Sequence, residues 1–299
     1  MWDSLTDPWQ YDFMQRALME VTIVGVVCGI VGCFVVLRGL AFIGDALAHA
    51  VFPGVVLSYM ADRSILIGAF IFALFTSLGV GVLSRSRRVS EDSAIGVLFA
   101  AFFALGVVLI SRQDGFKKDL GALLFGNVLG VSDRDVVLTL VIGAAVLLVL
   151  FALMKEFTLL AFDSTMARAV GYPVFLLDLV LLMLIAATIV VSLQAVGNIL
   201  ILALIVTPPA AARLLTDRLG KMMLLSAAIA VFSGVAGLFA SYHADTAAGG
   251  TIVLAATAFF VLALLFAPNH GLVSGWFQAR RGRHHVHHYH PMSEDVEPG

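Results

Sequence analysis

Residues 17–37 read ALMEVTIVGVVCGIVGCFVVL, an apolar run in which Glu20 is the one charged residue. An α-helix rises about 1.5 Å per residue, so about 20 residues cross the roughly 30 Å hydrocarbon core of a bilayer. The run therefore predicts a transmembrane helix.

Eight further apolar runs follow, at 42–61, 65–85, 93–112, 136–154, 174–197, 198–212, 222–243 and 249–267. The seventh of the nine runs is short and ends at Pro208-Pro209, so eight or ten spans are alternatives. We predict an all-α fold, a polytopic transmembrane helix bundle of about nine helices, in which residues 1–278 form one domain.

The composition agrees with a membrane protein. Hydrophobic residues make up 61% of the chain and charged residues 13%, and the mean hydropathy is +1.01. A soluble domain averages about 45–50% apolar and about 25% charged residues, so a soluble fold could not hide this much apolar surface. The net charge of −2 argues against nucleic acid as a partner.

The Lys and Arg residues predict the orientation. If the N-terminus is outside and nine spans alternate, twelve of the eighteen Lys and Arg residues fall on the inner side. Because inner loops carry the excess of positive charge, we predict an outer N-terminus and an inner C-terminus in the cell membrane.

Small residues recur where helices would touch. Gly25, Gly29 and Gly32 lie one turn apart in the first run, and Gly234 and Gly237 lie in the eighth. Small residues let helix backbones approach closely in lipid, so the pattern predicts helix contacts at both places.

The most informative polar residues are in GDALAHAVFPG, residues 44–54. Asp45 and His49 are four apart, so a helix places both on one face. A carboxylate and an imidazole suit Mn, Fe or Zn, and ionisable residues in a span are usually functional. The alternative is a pair that joins two helices or caps one. Two ligands do not complete a metal site, so further ligands must come from elsewhere.

His243 and Asp245, in SYHAD at the end of the eighth run, are a second candidate pair of ligands. The alternative is a polar helix end at the water interface. Simple alternation places Asp45 near the inner end of its run and His243 near the outer end. One ion could then not bind both pairs unless the second span is broken or enters more deeply.

Glu20 and Asp178 also lie in apolar runs, near the run ends. We expect these two carboxylates to face the lipid headgroups.

The tail, residues 279–299, is polar, so we predict a disordered, His-rich cytoplasmic segment. Such a cluster could bind metal in a sensing or buffering role, and adventitious binding is the alternative. Its candidate ligands are His284, His285, His287, His288 and His290.

Two enzyme motifs are absent from the sequence. It contains no G-x-x-x-x-G-K-[ST] and no H-E-x-x-H. The chain therefore has no P-loop for ATP and is not an intramembrane metalloprotease of that type, and we expect no catalytic residue and no enzyme activity of its own.

Residues 44–55 resemble the membrane subunits of the manganese, zinc and iron importers of the ATP-binding-cassette class. Further short matches follow in order along the chain: EDSAIG at 91–96, LFGNVLG at 124–130, LQAVG at 193–197, TPPAAAR at 207–213 and TIV at 251–253. The resemblance runs from about residue 20 to residue 267, and Pro53-Gly54 is more similar to the manganese and iron branch than to the zinc branch.

The resemblance implies the permease fold of the metal and cobalamin importers. It also implies a homodimer, two ATPase subunits below it and an extracellular solute-binding protein that delivers the ion, with Asp45 and His49 in the ion path. A cytoplasmic coupling helix that contacts the ATPase is implied at Ala210, Ala211, Ala212, Arg213, Leu214, Leu215, Thr216, Asp217, Arg218 and Leu219.

Two functions follow as hypotheses. The first is the permease of an ATP-driven importer of divalent metal ions, with manganese preferred over zinc or iron; the metal is cargo, and no resident cofactor is expected. The alternative is a stand-alone secondary metal transporter driven by protons, with Asp45 or His49 as the proton site.

Overall fold

The structure is a computed structural model that describes residues 11–85, 88–111 and 128–267. The described part is built from α-helices and one short 3-10 turn at Val128–Gly130. The helices are α1 (Asp12–Leu37), α2 (Ile43–Ala50), α3 (Phe52–Met60), α4 (Ile65–Leu83), α5 (Glu91–Ile110), α6 (Asp133–Ala152), α7 (Met154–Phe162), α8 (Ser164–Ala169), α9 (Val174–Val196), α10 (Asn198–Leu215), α11 (Leu219–Ala244) and α12 (Ala248–Phe266).

The prediction of about nine spans is confirmed for the described residues. Nine helical segments there are long and apolar enough to cross a membrane, with α2 and α3 counted together as one span of 18 residues. Helices α7 and α8 are short and lie between the spans α6 and α9. The tail that contains the predicted histidine cluster lies outside the described residues.

Helix α1 is at the centre of the bundle, where it packs against α6, α9, α10 and α11. The glycine contacts predicted for it are present. A Cβ on Gly29 would lie 2.9 Å from the Cα of Ala227, and one on Gly25 would lie 3.4 Å from the backbone of Ala230, so α1 and α11 are antiparallel and in close backbone contact. Gly237 makes a similar approach to Ile252 of α12.

Helix α10 corrects the prediction that the seventh run ends at its two prolines. The helix continues through Pro208 and Pro209 to Leu215. Proline has no N–H for the carbonyl four residues earlier, so Pro209 leaves the carbonyl oxygen of Ile205 without its helical donor. A Cβ built on Gly32 of α1 would clash with that oxygen, so a glycine is required where α1 covers it.

The second span is broken within residues 44–54, the segment in which the sequence predicts metal ligands. Helix α2 ends at Ala50 and α3 begins at Phe52. Pro53 has no N–H to donate to the carbonyl of His49, which interrupts the hydrogen-bond ladder next to the candidate ligand. Gly54 then packs directly on Gly68 of α4, since a Cβ on either glycine would clash with the other's carbonyl oxygen.

Glu20 does not face headgroups, and that expectation was wrong. Its side chain is fully buried between α1 and α6, where the hydroxyl of Thr139 donates a hydrogen bond to Glu20 Oε1 at 2.8 Å. A polar pair of this kind joins two helices where lipid offers no hydrogen-bond partner.

We predict that Gly32→Ala destabilises the bundle by about 1–3 kcal/mol, because the added methyl overpacks the contact between α1 and the Ile205 carbonyl. Thermal melting of the detergent-solubilised protein, followed by size-exclusion chromatography, measures the effect. Gly220→Ala is the matched control, since nothing lies within 4 Å of a Cβ there. Equal melting temperatures for the two variants would contradict the proposed contact.

Candidate metal site

Asp45 and His49 lie on one face of α2, as their spacing predicts. His49 Nε2 is 3.4 Å from Asp45 Oδ1. The side chain of His49 is 25% exposed and that of Asp45 is 34% exposed, so both are accessible at the surface of the single chain. A polar pair that only joins two helices would be buried between them, whereas metal ligands must be accessible to the ion. The exposure of this pair therefore favours the metal-ligand interpretation.

Aromatic side chains fix the imidazole of His49. The ring centroids of Phe99 and Phe103, both on α5, lie 5.6 and 5.5 Å from the His49 centroid. Phe52 of α3 packs in turn on Phe103 at 5.8 Å. These contacts restrict rotation of the imidazole, so its nitrogen stays directed toward Asp45.

A cavity of about 220 Å³ lies beside His49. Helices α2, α3 and α5 line it together with the adjoining ends of α9 and α10. Its walls are apolar except at His49 and Asn198, whose Nδ2 lies 3.5 Å from His49 Nε2. The histidine therefore lies at the level of the turn between α9 and α10.

His243 and Asp245 are not brought to the pair on α2. His243 lies in the last turn of α11, with its Nδ1 3.0 Å from the carbonyl oxygen of Phe239 and its ring packed on the Phe239 ring. Asp245 ends the helix in the left-handed conformation, with φ 50°. Across the described residues, no group of three or more His, Cys, Asp or Glu could hold a metal ion.

The segment 210–219 does not form a helix of its own. Residues 210–215 are the last turns of α10, residues 216–218 connect the two helices, and Leu219 begins α11. The short separate helix that lies closest before this segment in the sequence is α8. The coupling role that the resemblance implies for residues 210–219 stays a prediction, and in the structure residues 210–215 are the end of the continuous α10.

A second group of charges lies where α1 and α4 end and α5 and α9 begin, which we call the Arg38 end. Arg38 Nη2 is 2.7 Å from Asp178 Oδ1 and 3.9 Å from Glu91 Oε2. Its Nη1 donates to the carbonyl oxygen of Leu160 at 3.5 Å. Asp178 therefore pairs with Arg38 and does not simply face headgroups, and the three charges hold three helices together at this end.

Sequence reasoning missed the position of Asn198 and the pairing of Arg38. The sequence did contain a signal for Asn198, since this amide directly follows Gly197 between two apolar runs. Arg38 was counted only as an inner-loop charge, and nothing in its neighbours indicated a partner 140 residues later in the chain.

The comparisons with known proteins agree with this architecture. The model of the ABC 3 transport family matches residues 10–267. The chain is 45% identical over 273 residues to the manganese transport system membrane protein MntC of Halalkalibacterium halodurans, covering 91% of this chain and 94% of that protein. It is 40% identical over 267 residues to the probable iron transport system membrane protein of Haemophilus influenzae, covering 89% and 98% of the two chains.

A solved structure is also similar. PsaBC from Streptococcus pneumoniae in complex with Fab contains a chain that matches with a TM-score of 0.81 and 36% identity. The match covers 93% of this chain and 99% of that chain, so the arrangement of helices is shared over nearly the whole length.

We predict that Arg38→Met destabilises the protein by about 1–3 kcal/mol, because it leaves partly buried carboxylates without their cation. The double variant Arg38→Met/Asp178→Asn should recover much of the loss. Melting temperatures in detergent measure both, and Asp133→Asn, whose side chain is 83% exposed, is the control expected to change little. Purely additive losses in the double variant would contradict the pairing.

Proposed function

Because the chain belongs to the ABC 3 transport family, we propose that it is the transmembrane permease subunit of an ATP-driven importer of divalent metal ions, with manganese as its main cargo. The observation that carries this function is the Asp45–His49 pair, 3.4 Å apart and accessible inside an apolar bundle. The chain does no covalent chemistry and provides the route for the ion. The stand-alone proton-driven transporter is not favoured, because the named relatives are subunits of transport systems.

Two copies of this chain complete the ligand set. One carboxylate and one imidazole are too few for a divalent ion, which takes four or more ligands. Both side chains are accessible at the surface of the single chain, where lipid contact would be costly. A homodimer whose two α2 helices face each other would supply two carboxylates and two imidazoles to one ion on the path between the copies.

Manganese is proposed from the names of the relatives. The relatives named above are a manganese system and an iron system. Carboxylate and imidazole ligands accept manganese, iron and zinc, so ligand type alone does not choose among them. Uptake of labelled manganese in competition with zinc and iron would identify the preferred ion.

We propose that the energy for transport comes from ATP bound to other chains, since this sequence has no P-loop of its own. We propose two ATPase subunits on the cytoplasmic side and a metal-binding solute-binding protein outside. The positive-inside rule places the Arg38 end in the cytoplasm, with the N-terminus outside and the C-terminus inside the cell.

The ATPase would bind at the Arg38 end, on the connection 216–218 and on α8. Helix α8 follows α7, whose Leu160 contacts Arg38, so it lies at this end. It exposes Met166 to 50% and is followed by Val170, which is 58% exposed. Apolar side chains on a short helix between two spans form a surface that a partner protein could cover.

We predict that Asp45→Ala or His49→Ala lowers manganese uptake by at least about tenfold, since each removes a ligand. The assembled complex in proteoliposomes, supplied with labelled manganese and internal ATP, measures this. Asp133→Asn removes an exposed carboxylate away from the pair and is expected to transport normally. Wild-type uptake by either α2 variant would exclude that residue from the ion path.

We also predict that Met166→Glu releases the ATPase without unfolding the chain. A charge at the centre of an apolar contact costs affinity, so the ATPase should no longer copurify with the variant. Met60→Glu places the same change at the other end of the bundle, on a residue that is 45% exposed, and should retain the ATPase. Equal copurification with both variants would locate the ATPase elsewhere.

A further inference from the structure

Asn198 is a buried amide with an unused oxygen. It is the first residue of α10 and is 5% exposed. Its Nδ2 faces His49 Nε2 at 3.5 Å, whereas its Oδ1 has no hydrogen-bond partner. Leaving a buried carbonyl oxygen unpaired is costly, so a native chain retains such a group where it has a use.

The backbone is arranged to place this amide beside the histidine. Helix α9 ends at Val196 and α10 begins at Asn198, with Gly197 between them at φ 81° and ψ 164°. A side chain is strained at that positive φ, so the glycine permits the turn. The turn brings Asn198 to the wall of the cavity that His49 also lines, opposite the break between α2 and α3.

The distances around His49 fit ligands of one ion. Ligands about 2.1 Å from a metal lie about 3.0 Å apart in an octahedron and about 3.4 Å apart in a tetrahedron. His49 Nε2 is 3.4 Å from the Asp45 oxygen and 3.5 Å from the Asn198 amide. Both distances are within about 0.5 Å of the spacing around a six-coordinate ion, which two copies with three ligands each would supply. Rotating the amide by 180° exchanges its nitrogen and oxygen, so that Oδ1 takes the position of Nδ2 and faces His49 Nε2.

We propose that Asn198 is a third metal ligand of each chain, through its amide Oδ1, and that it favours manganese over zinc. The proposal rests on the function proposed above and extends it to ion selectivity. An uncharged amide oxygen is a hard ligand of the kind that manganese accepts readily. Zinc prefers nitrogen and sulfur ligands and four-coordinate sites, so an additional oxygen benefits manganese more.

The test uses the assembled complex in proteoliposomes, with labelled manganese and labelled zinc measured separately. Asn198→Leu keeps the branched shape of the side chain and removes the ligand, so manganese uptake at low concentration should fall at least tenfold and zinc uptake less. Asn198→Asp keeps an oxygen in place and should retain manganese uptake. Ser233→Ala, which removes a buried hydroxyl without a partner in α11, is the matched control and should transport normally.

A third variant keeps the proposal testable if Asn198→Leu does not fold. Asn198→His replaces the oxygen by a nitrogen and should raise the ratio of zinc to manganese uptake by at least threefold. An unchanged ratio in Asn198→His, or equal losses of both metals in Asn198→Leu, would overturn the role as a ligand. Failure of the wild-type complex to transport manganese would instead overturn the proposed function.

Discussion

The presence of Asp45 and His49 inside an apolar bundle is the constraint that the elements around them must satisfy. Two ionisable side chains in an apolar bundle are costly, so neighbouring elements must hold them in one useful position. Pro53 interrupts the helix next to them, and Phe103 packs on the imidazole. The turn at Gly197 brings a third polar group to the same place. The surrounding glycine contacts allow these elements to approach closely enough.

Much of the fold could be predicted from the sequence, because each span is a local property of about 20 residues. The spacing of Asp45 and His49 also sufficed to place them on one face. The continuation of α10 past Pro209 could not be predicted, because it depends on Gly32 of a distant helix covering a carbonyl oxygen. Contacts between helices, such as those of Asn198, depend on packing that periodicity does not encode.

Two polar groups of the described bundle, the α2 pair and the Arg38 end, have different forms and suit different roles. At the α2 pair the side chains are accessible and incomplete, which suits an ion that binds and leaves. At the Arg38 end the charges are paired across three helices, which suits a rigid surface for binding the proposed ATPase. A permease needs both an accessible ion site along the bundle and a rigid end on which the ATPase subunits act.

The central claim is that this chain carries metal only with an ATPase. The most direct measurement is the uptake of labelled manganese by proteoliposomes that contain the purified chain alone or the chain with its ATPase and binding protein. A proton gradient is imposed on one set of vesicles, and ATP is enclosed in the other. We predict uptake only with the ATPase present and ATP inside, whereas proton-driven uptake by the chain alone would contradict the account.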